Sequence, residues 1–372
     1  MRLAFFMMPL HSQKLSYKEM YDMDVQVALY ADQLKFDEFW IGEHCSAKVE
    51  PVSNTLQFLS VLIPQTSHMK LCTGVLNLPQ HHPARVAADA AMFDHMSNGR
   101  FIMGIGPGGL STDFELFGTI DKDRQAMMVD CIEMVEKIWA SDPPYDIQGA
   151  NWSVRIVDNF QPDMGLGPIP KPLQKPFPNL VTSAMSPHSS TAKLAGTKGW
   201  DLISANFNAP WVVRSHWEQY VKGAAQAGRR ADPNTWRVCR SILITDSDQE
   251  AAGYLANPDN TIRSYYNYLF TQLSRAGAIK IFLTSPTVEP ETLTLQSVID
   301  SMVIAGNTKT VLDKLMAFMD DVGPFGCLTM AFHEWDKPEM WQGSMRKLRE
   351  DVMPKFSQHA ASKLAAYNRA AE

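Results

Sequence analysis

Strand-length apolar runs alternate with amphipathic helical patterns along the chain, and this alternation leaves few architectures open. Leu3 to Met8 is a continuous apolar run, and Tyr17 to Leu34 follows with Met20, Met23, Val27, Ala31 and Leu34 at helical spacing. The pairs Phe39 to Gly42 with Leu56 to Ile63, Leu71 to Leu76 with Ala84 to Met96, and Phe101 to Ile105 with Arg124 to Trp139 continue the pattern. Strands are again expected at Leu180 to Ser183, Asp201 to Ser204, Val238 to Thr245 and Cys327 to Phe332. Helices are expected through Lys193 to Gly196 and over Trp211 to Gln226, Thr308 to Met319 and Leu348 to Phe356. Eight such units, with no GxGxxG after the first strand, favour a (β/α)8 TIM barrel over an open doubly wound sheet.

Two stretches interrupt the pattern. Residues 142–178 are proline-rich and hold a short strand pattern, Trp152 to Val157, which predicts an irregular insertion with one β-hairpin. Residues 257–298 are part helical and aromatic (Tyr265, Tyr266, Tyr268, Phe270). They follow the seventh strand and are placed to fold over the barrel mouth as a lid. The expectation is one barrel domain over residues 1–372 carrying both insertions.

Composition excludes several partners. A net charge of −6 without a basic cluster argues against nucleic acid. The N-terminal apolar run stops at Pro9 without a small-residue cleavage site, and no stretch approaches the ~18 apolar residues of a membrane span. Five scattered cysteines (Cys45, Cys72, Cys131, Cys239, Cys327) without a CxxC read as reduced thiols of a cytoplasmic protein. No metal site is expected, because His81 and His82 have no third ligand at suitable spacing.

In a barrel the active site gathers where the strands end. Asn98 to Gly109, NGRFIMGIGPGG, is a turn, a strand and then a glycine floor from Gly106 onward, where backbone can come close to something bulky and planar. His44 ends the second strand, where an imidazole titrating near neutrality can move a proton to or from an oxygen. Alternation turns Glu43 away, so it reads as support or an internal ion pair, and His81 and His82 read as caps of the next helix. After the fifth strand, Ser183-Ala184-Met185-Ser186 leads into a helix whose free N–H groups favour an anion such as phosphate, although an ordinary Ser-Pro cap accounts for the same pattern.

FFMMP at the N-terminus, WIGEH at Trp40 to His44, LNLPQHHPAR at Leu76 to Arg85, MSNGRFIMGIGPGG, LAGTKGW at Leu194 to Trp200 and VIAGNTKTVLDKL at Val303 to Leu315 occur in one order along almost the whole chain. Together they resemble the bacterial luciferase-like superfamily of flavin-dependent monooxygenases. The tail EDVMPK, Glu350 to Lys355, is similar to that of the limonene and diketocamphane monooxygenase group.

The resemblance implies a homodimeric barrel that takes reduced FMN from a separate flavin reductase and reacts it with O2 through a C4a-peroxyflavin. It implies His44 as catalytic acid/base. It also implies Gly74, Val75 and Asn77 against the flavin ring, with Asn77 on the pyrimidine edge and Gly74–Val75 as a candidate non-proline cis peptide. The phosphate would then lie at Ser183 to Ser186. Pro107 stands where some relatives carry a phosphate-binding arginine, which implies loose flavin binding.

Phe6, Met7, Met8, Met103, Phe207, Trp211 and the insertion tyrosines suit either barrel core or a cavity for a small apolar substrate such as a terpene, cyclic ketone or aldehyde. Epoxidation and Baeyer–Villiger oxygenation are both open. So are an F420-dependent dehydrogenase or reductase of the same superfamily and a non-catalytic flavin-binding protein.

Overall fold

The structure, a computed structural model, describes residues 1–8 and 10–370; Pro9, expected to end the first strand, lies outside them. Eight parallel strands are observed: β1 (Arg2–Met7), β2 (Glu38–Ile41), β3 (Lys70–Thr73), β4 (Phe101–Gly106), β5 (Asn179–Ala184), β6 (Asp201–Ser204), β7 (Arg237–Ile244) and β8 (Cys327–Phe332). They pair in the order β7-β8-β1-β2-β3-β4-β5-β6, and β6 pairs back onto β7. The sheet is therefore a closed (β/α)8 barrel, which leaves no barrel strand with an open edge.

The helices are α1 (Tyr17–Gln33), α2 (Thr55–Leu62), α3 (Pro83–Met96), α4 (Ser111–Leu116), α5 (Arg124–Ala140), α6 (Ser190–Lys198) and α7 (Pro210–Gln226). They continue with α8 (Asp248–Ala256), α9 (Thr261–Arg275), α10 (Leu295–Met302), α11 (Thr308–Val322), α12 (Pro338–Lys347) and α13 (Met353–Ala370). Their starts follow from local chemistry. Ser16 and Glu19 form a reciprocal capping box on α1, and Asn54, Asp123, Ser189 and Asn307 cap α2, α5, α6 and α11 with side-chain oxygens.

Three elements differ from the sequence expectation. The run expected as one strand from Leu71 to Leu76 splits into β3 and a two-residue piece, Leu76–Asn77, that pairs separately with β4. The last helix runs far past Phe356: α12 leads through a π-turn at Leu348–Val352 into α13. That turn directly precedes Pro354, whose missing N–H a regular α-turn would have left as a gap. Val303–Gly306 is a short strand beside β7, in register from Ser241↔Val303 to Ile244↔Gly306.

The chain packs as two units, one of Met1–Phe39 with Thr182–Glu372 and one of Trp40–Val181. In the first, β1 and β7 both pair with β8, at Arg2↔Cys327 and Arg237↔Cys327. Leu3, Phe5, Val238, Leu328 and Met330 are fully buried there.

Charged residues close the strand starts of this unit. Arg237, 1% exposed, grips Glu38 with two bonds, Nε to Oε2 at 2.7 Å and Nη2 to Oε1 at 3.0 Å, and donates to Asp201 at 2.8 Å. Arg2 adds a bond to Glu38 at 2.6 Å. Burial alone would lower the Arg237 pKa, and the Glu38 and Asp201 carboxylates raise it instead.

In the second unit β3 and β4 pair at Leu71↔Phe101, and Tyr145–Gln148 forms an antiparallel hairpin with Ser153–Ile156 inside the proline-rich stretch. No helix among the described residues is long and apolar enough to cross a membrane. The five cysteines are unbridged, and only Cys45 is exposed.

A buried ion pair is costly to break from one side, because the partner charge is left without compensation. Arg237→Met is expected to destabilise the protein by roughly 3–5 kcal/mol, read as a lower urea midpoint at unchanged slope.

Candidate active site

The strand β4 is built to let β3 lie unusually close. A Cβ on Gly104 would stand 1.9 Å from the Thr73 carbonyl oxygen and 3.1 Å from the Trp40 ring, and a Cβ on Gly106 would stand 2.4 Å from Val75 Cγ2. Neither fits. Thr73 Oγ1 donates to the Gly104 carbonyl at 2.8 Å, which ties the two strands at this level. Gly108 has φ +85°, a left-handed backbone that glycine takes without cost, and a Cβ there would also strike the Phe114 ring at 2.9 Å. Gly109 faces open space, with nothing within 4 Å of its Cβ position. The Gly74–Val75 peptide is cis, as the resemblance implied, and both residues are partly exposed.

Glu43 is the hub beneath this floor. It is 2% exposed, and its Oε1 accepts from the Asn77 amide at 2.9 Å and pairs with His81 Nε2 at 2.8 Å. Asn77 Nδ2 in turn donates to the Glu43 carbonyl at 3.0 Å. Asn77, 4% exposed, therefore turns its backbone N–H and one side-chain N–H inward to Glu43. Burial would lower the His81 pKa, but its hydrogen bond to Glu43 raises it. His82 caps α3 by accepting from the Ala84 amide at 3.3 Å. The internal ion pair expected of Glu43 and the capping role expected of His82 are both observed, whereas His81 pairs with Glu43.

His44 stands between two carboxylates. Its Nε2 is 2.9 Å from Glu50 Oε2 and its Nδ1 is 3.5 Å from Asp113 Oδ2, with 27% of the side chain exposed. Asp113, from the first turn of α4, is fully buried and accepts from the amides of Ser46 at 2.9 Å and Cys45 at 3.3 Å and from the Ser46 hydroxyl. Burial would lower the His44 pKa, but Glu50 and Asp113 raise it to about 10. Burial would raise the Asp113 pKa, and its bonds to His44 and Ser46 lower it. The ring therefore does not titrate near neutrality, as its type alone suggested, because two anions face it.

In the other unit, Ser183 and Ala184 end β5, and Met185 and Ser186 are exposed on the loop before α6. Asn208 holds the Met185 carbonyl at 2.6 Å and His216 Nε2 lies 3.0 Å from the Ser186 carbonyl. The Ser189 hydroxyl caps α6 by accepting from the Ala192 amide at 3.2 Å. In this unit too, the part of the aromatic stretch in α9 lies across strand ends. Tyr265 stacks on His333 at 3.7 Å, and its hydroxyl reaches Met8 Sδ at 3.4 Å and Asn206 Oδ1 at 3.3 Å. Of the residues suggested as apolar lining, Phe6, Met8 and Trp211 are partly exposed, while Met7, Met103 and Phe207 are buried core.

The profile of the family described as luciferase-like monooxygenase matches residues 1–324. The chain belongs to that family. It is 28% identical to 4-hydroxyprotoasukamycin monooxygenase of Streptomyces nodosus subsp. asukaensis, over 94% of this chain and 90% of that protein. It is 26% identical to limonene 1,2-monooxygenase of Rhodococcus erythropolis, over 98% of this chain and 88% of that protein. Among solved structures it superposes on the oxygenating constituent of 3,6-diketocamphane monooxygenase from Pseudomonas putida, a type II Baeyer–Villiger monooxygenase in complex with FMN. There the TM-score is 0.85 at 24% identity, covering 95% of this chain and 98% of that one. Its nearly full-length relatives thus include named monooxygenases, and the shared fold is that of the barrel.

Sequence reading singled out His44 in this luciferase-like chain but missed Glu50 and Asp113 as its partners. Asp113 closes the strand-end segment that begins at Gly106, so its place near the mouth was legible, but its bonds to Cys45 and Ser46 cross 68 and 67 residues of sequence. Glu43→Ala strands the Asn77 amide and His81, at a cost of roughly 1–3 kcal/mol for each unsatisfied donor. Because the folded-state pKa of His81 is raised, the pair stabilises fully below the unfolded value of ~6.5 and loses its effect as pH rises through the folded value. The stability deficit of Glu43→Ala is therefore expected to be largest near pH ~6 and to narrow at higher pH, as followed by urea unfolding across pH.

Proposed function

We propose that this protein is a flavin-dependent monooxygenase that uses reduced FMN and O2 to oxygenate a small apolar substrate, in the class of terpenes, cyclic ketones and aldehydes. The observation that carries the reading is the partly exposed Gly74–Val75 backbone just beyond β3, packed on Gly106, with open space over Gly109 at the end of β4, in a chain of this family. A planar ring system needs such a surface of backbone without side chains.

The residues present fit FMN. Gly74, Val75 and Gly106 form one face for the ring, and Asn77 lies at its polar edge. Ser183, Ala184, Met185 and Ser186, before the N-terminus of α6, suit the phosphate through backbone N–H groups and hydroxyls. Reduced FMN, when bound, supplies two electrons and the C4a carbon at which O2 is activated, so that one oxygen atom enters the substrate and the other leaves as water.

The chain's own residues do the rest. His44, held charged, donates a proton at Nε2 to an oxygen of the reacting groups. Phe6, Met8 and Trp211 offer apolar contact to the substrate, and Tyr265 with the rest of α9 shields the strand ends of its unit from water. The absence of an arginine at Pro107 suits loose flavin exchange with a separate flavin reductase. The Pseudomonas putida protein, described as an oxygenating constituent, supports that arrangement. A homodimer completes the proposal.

The test is anaerobic titration with FMNH2, then mixing with 18O2 and a panel of terpenes, cyclic ketones and aldehydes. Binding of FMNH2 and a product carrying one labelled atom are expected. His44→Ala is expected to keep FMNH2 binding and lose ~10²–10⁴-fold in product formation. F420 binding with alcohol-dependent reduction, and no labelled product, would replace this reading with that of a deazaflavin dehydrogenase. FMN binding without turnover of any panel member, together with unchanged flavin oxidation in His44→Ala, would leave a flavin-binding protein.

A further inference from the structure

We propose that Glu50 is a positioning residue that keeps a proton on His44, with Asp113 fixing the other side of the ring, so that the site meets its substrate with an acid already in place. The inference rests on the reading of His44 as the proton-handling group.

The loop after β2 is shaped to bring Glu50 back. The His44 amide donates to the Val52 carbonyl at 2.9 Å and Cys45 Sγ lies 3.7 Å from the Ser53 carbonyl, which closes the chain into a loop with Glu50 at its inner side. There the Glu50 carboxylate, 16% exposed, meets His44 Nε2 at 2.9 Å.

The two carboxylates have different duties. Asp113 is bonded to Cys45 and Ser46 whatever the charge on His44, so its place does not depend on the ring. Among the described residues the Glu50 side chain pairs with His44, and that contact is an ion pair only while the ring is charged. The titratable groups facing the ring are Glu50 from its own loop and Asp113 from α4. Both are anions, and both favour the imidazolium.

The proton path closes without another reactant. For transfer the Nε2–H leaves Glu50 Oε2 for the reacting oxygen: the N–H bond breaks as an O–H bond forms there, and the neutral ring then recovers a proton from solvent along its exposed edge and pairs with Glu50 again. Removing Glu50 leaves His44 without the carboxylate at Nε2 that favours its charged form.

The experiment uses the full-length protein with labelled histidine. The His44 ring is titrated by NMR in the wild type, in Glu50→Gln and in Glu50→Asp, and the pH profile of kcat for oxygenation is recorded for all three. The wild-type ring is expected to stay protonated well above neutrality. In Glu50→Gln its titration is expected to fall by about 1–3 units, the shift an opposite charge at contact distance produces. The alkaline limb of kcat is expected to move by the same amount, with KM little changed, and Glu50→Asp to restore most of both.

A wild-type ring titrating near ~6.5 overturns the proposal, and so does a titration unmoved in Glu50→Gln. Should Glu50→Gln fail to fold, Glu50→Ala is titrated in its place, where the same fall is expected and an unmoved titration again overturns the proposal. Failure of the oxygenase reading would show separately, as absence of labelled product, because the ring titration requires no flavin.

Discussion

The close approach of two backbones at Gly104 is the constraint from which the rest of the Trp40–Val181 unit follows. A side chain can rotate away from a collision, but a carbonyl in a strand cannot, and the Thr73 carbonyl lies where any Cβ on residue 104 would be. Glycine there brings β3 down onto β4 and lets Thr73 Oγ1 reach the Gly104 carbonyl. The same closeness carries on to the strand ends, where Val75 rests on Gly106 and Leu76–Asn77 pairs with β4. Glu43 then fixes that end from below by binding the Asn77 amide and His81.

Charge is used in two ways in this molecule. At the strand starts, Arg237 and Glu38 are almost wholly buried and Asp201 partly so, and they hold one another, an arrangement that resists change because each partner would be left uncompensated. At His44 the ring keeps 27% of its side chain exposed beside two carboxylates, so its charge is both stabilised and within reach of solvent and ligand. The first arrangement holds a fold. The second keeps a charged ring partly open to solvent.

Much of the fold was legible because burial of both faces writes strands as continuous apolar runs and helices as stripes. β6 and β8 fall on the expected residues, and β1, β2, β5 and β7 differ by a residue or so at their ends. Leu71 to Leu76, LCTGVL, read as one strand because apolar residues flank Thr73 and Gly74 on both sides, whereas the structure breaks it around Gly74–Val75. The last helix was expected over Leu348 to Phe356, across Pro354, and its continuation to Ala370 was not expected; the π-turn at Leu348–Val352 precedes Pro354. The cis Gly74–Val75 bond was legible from the resemblance, and the places of His44 and Gly106 beyond β2 and at the end of β4 from the strand pattern. Glu50 and Asp113 were not, because a carboxylate in a loop carries no local sign of which ring it will face.

The sequence by itself determined the number and order of the strands, the glycines where backbones must touch, and the histidine at the end of β2, because these depend on local periodicity and on the absence of a Cβ. Only the tertiary structure decided which groups face His44. An imidazole on its own titrates near neutrality. Here, residues close in space, one of them distant in sequence, place two carboxylates against it and raise its pKa to about 10. Electrostatic energy depends on distance and burial, and neither is written in the order of residues.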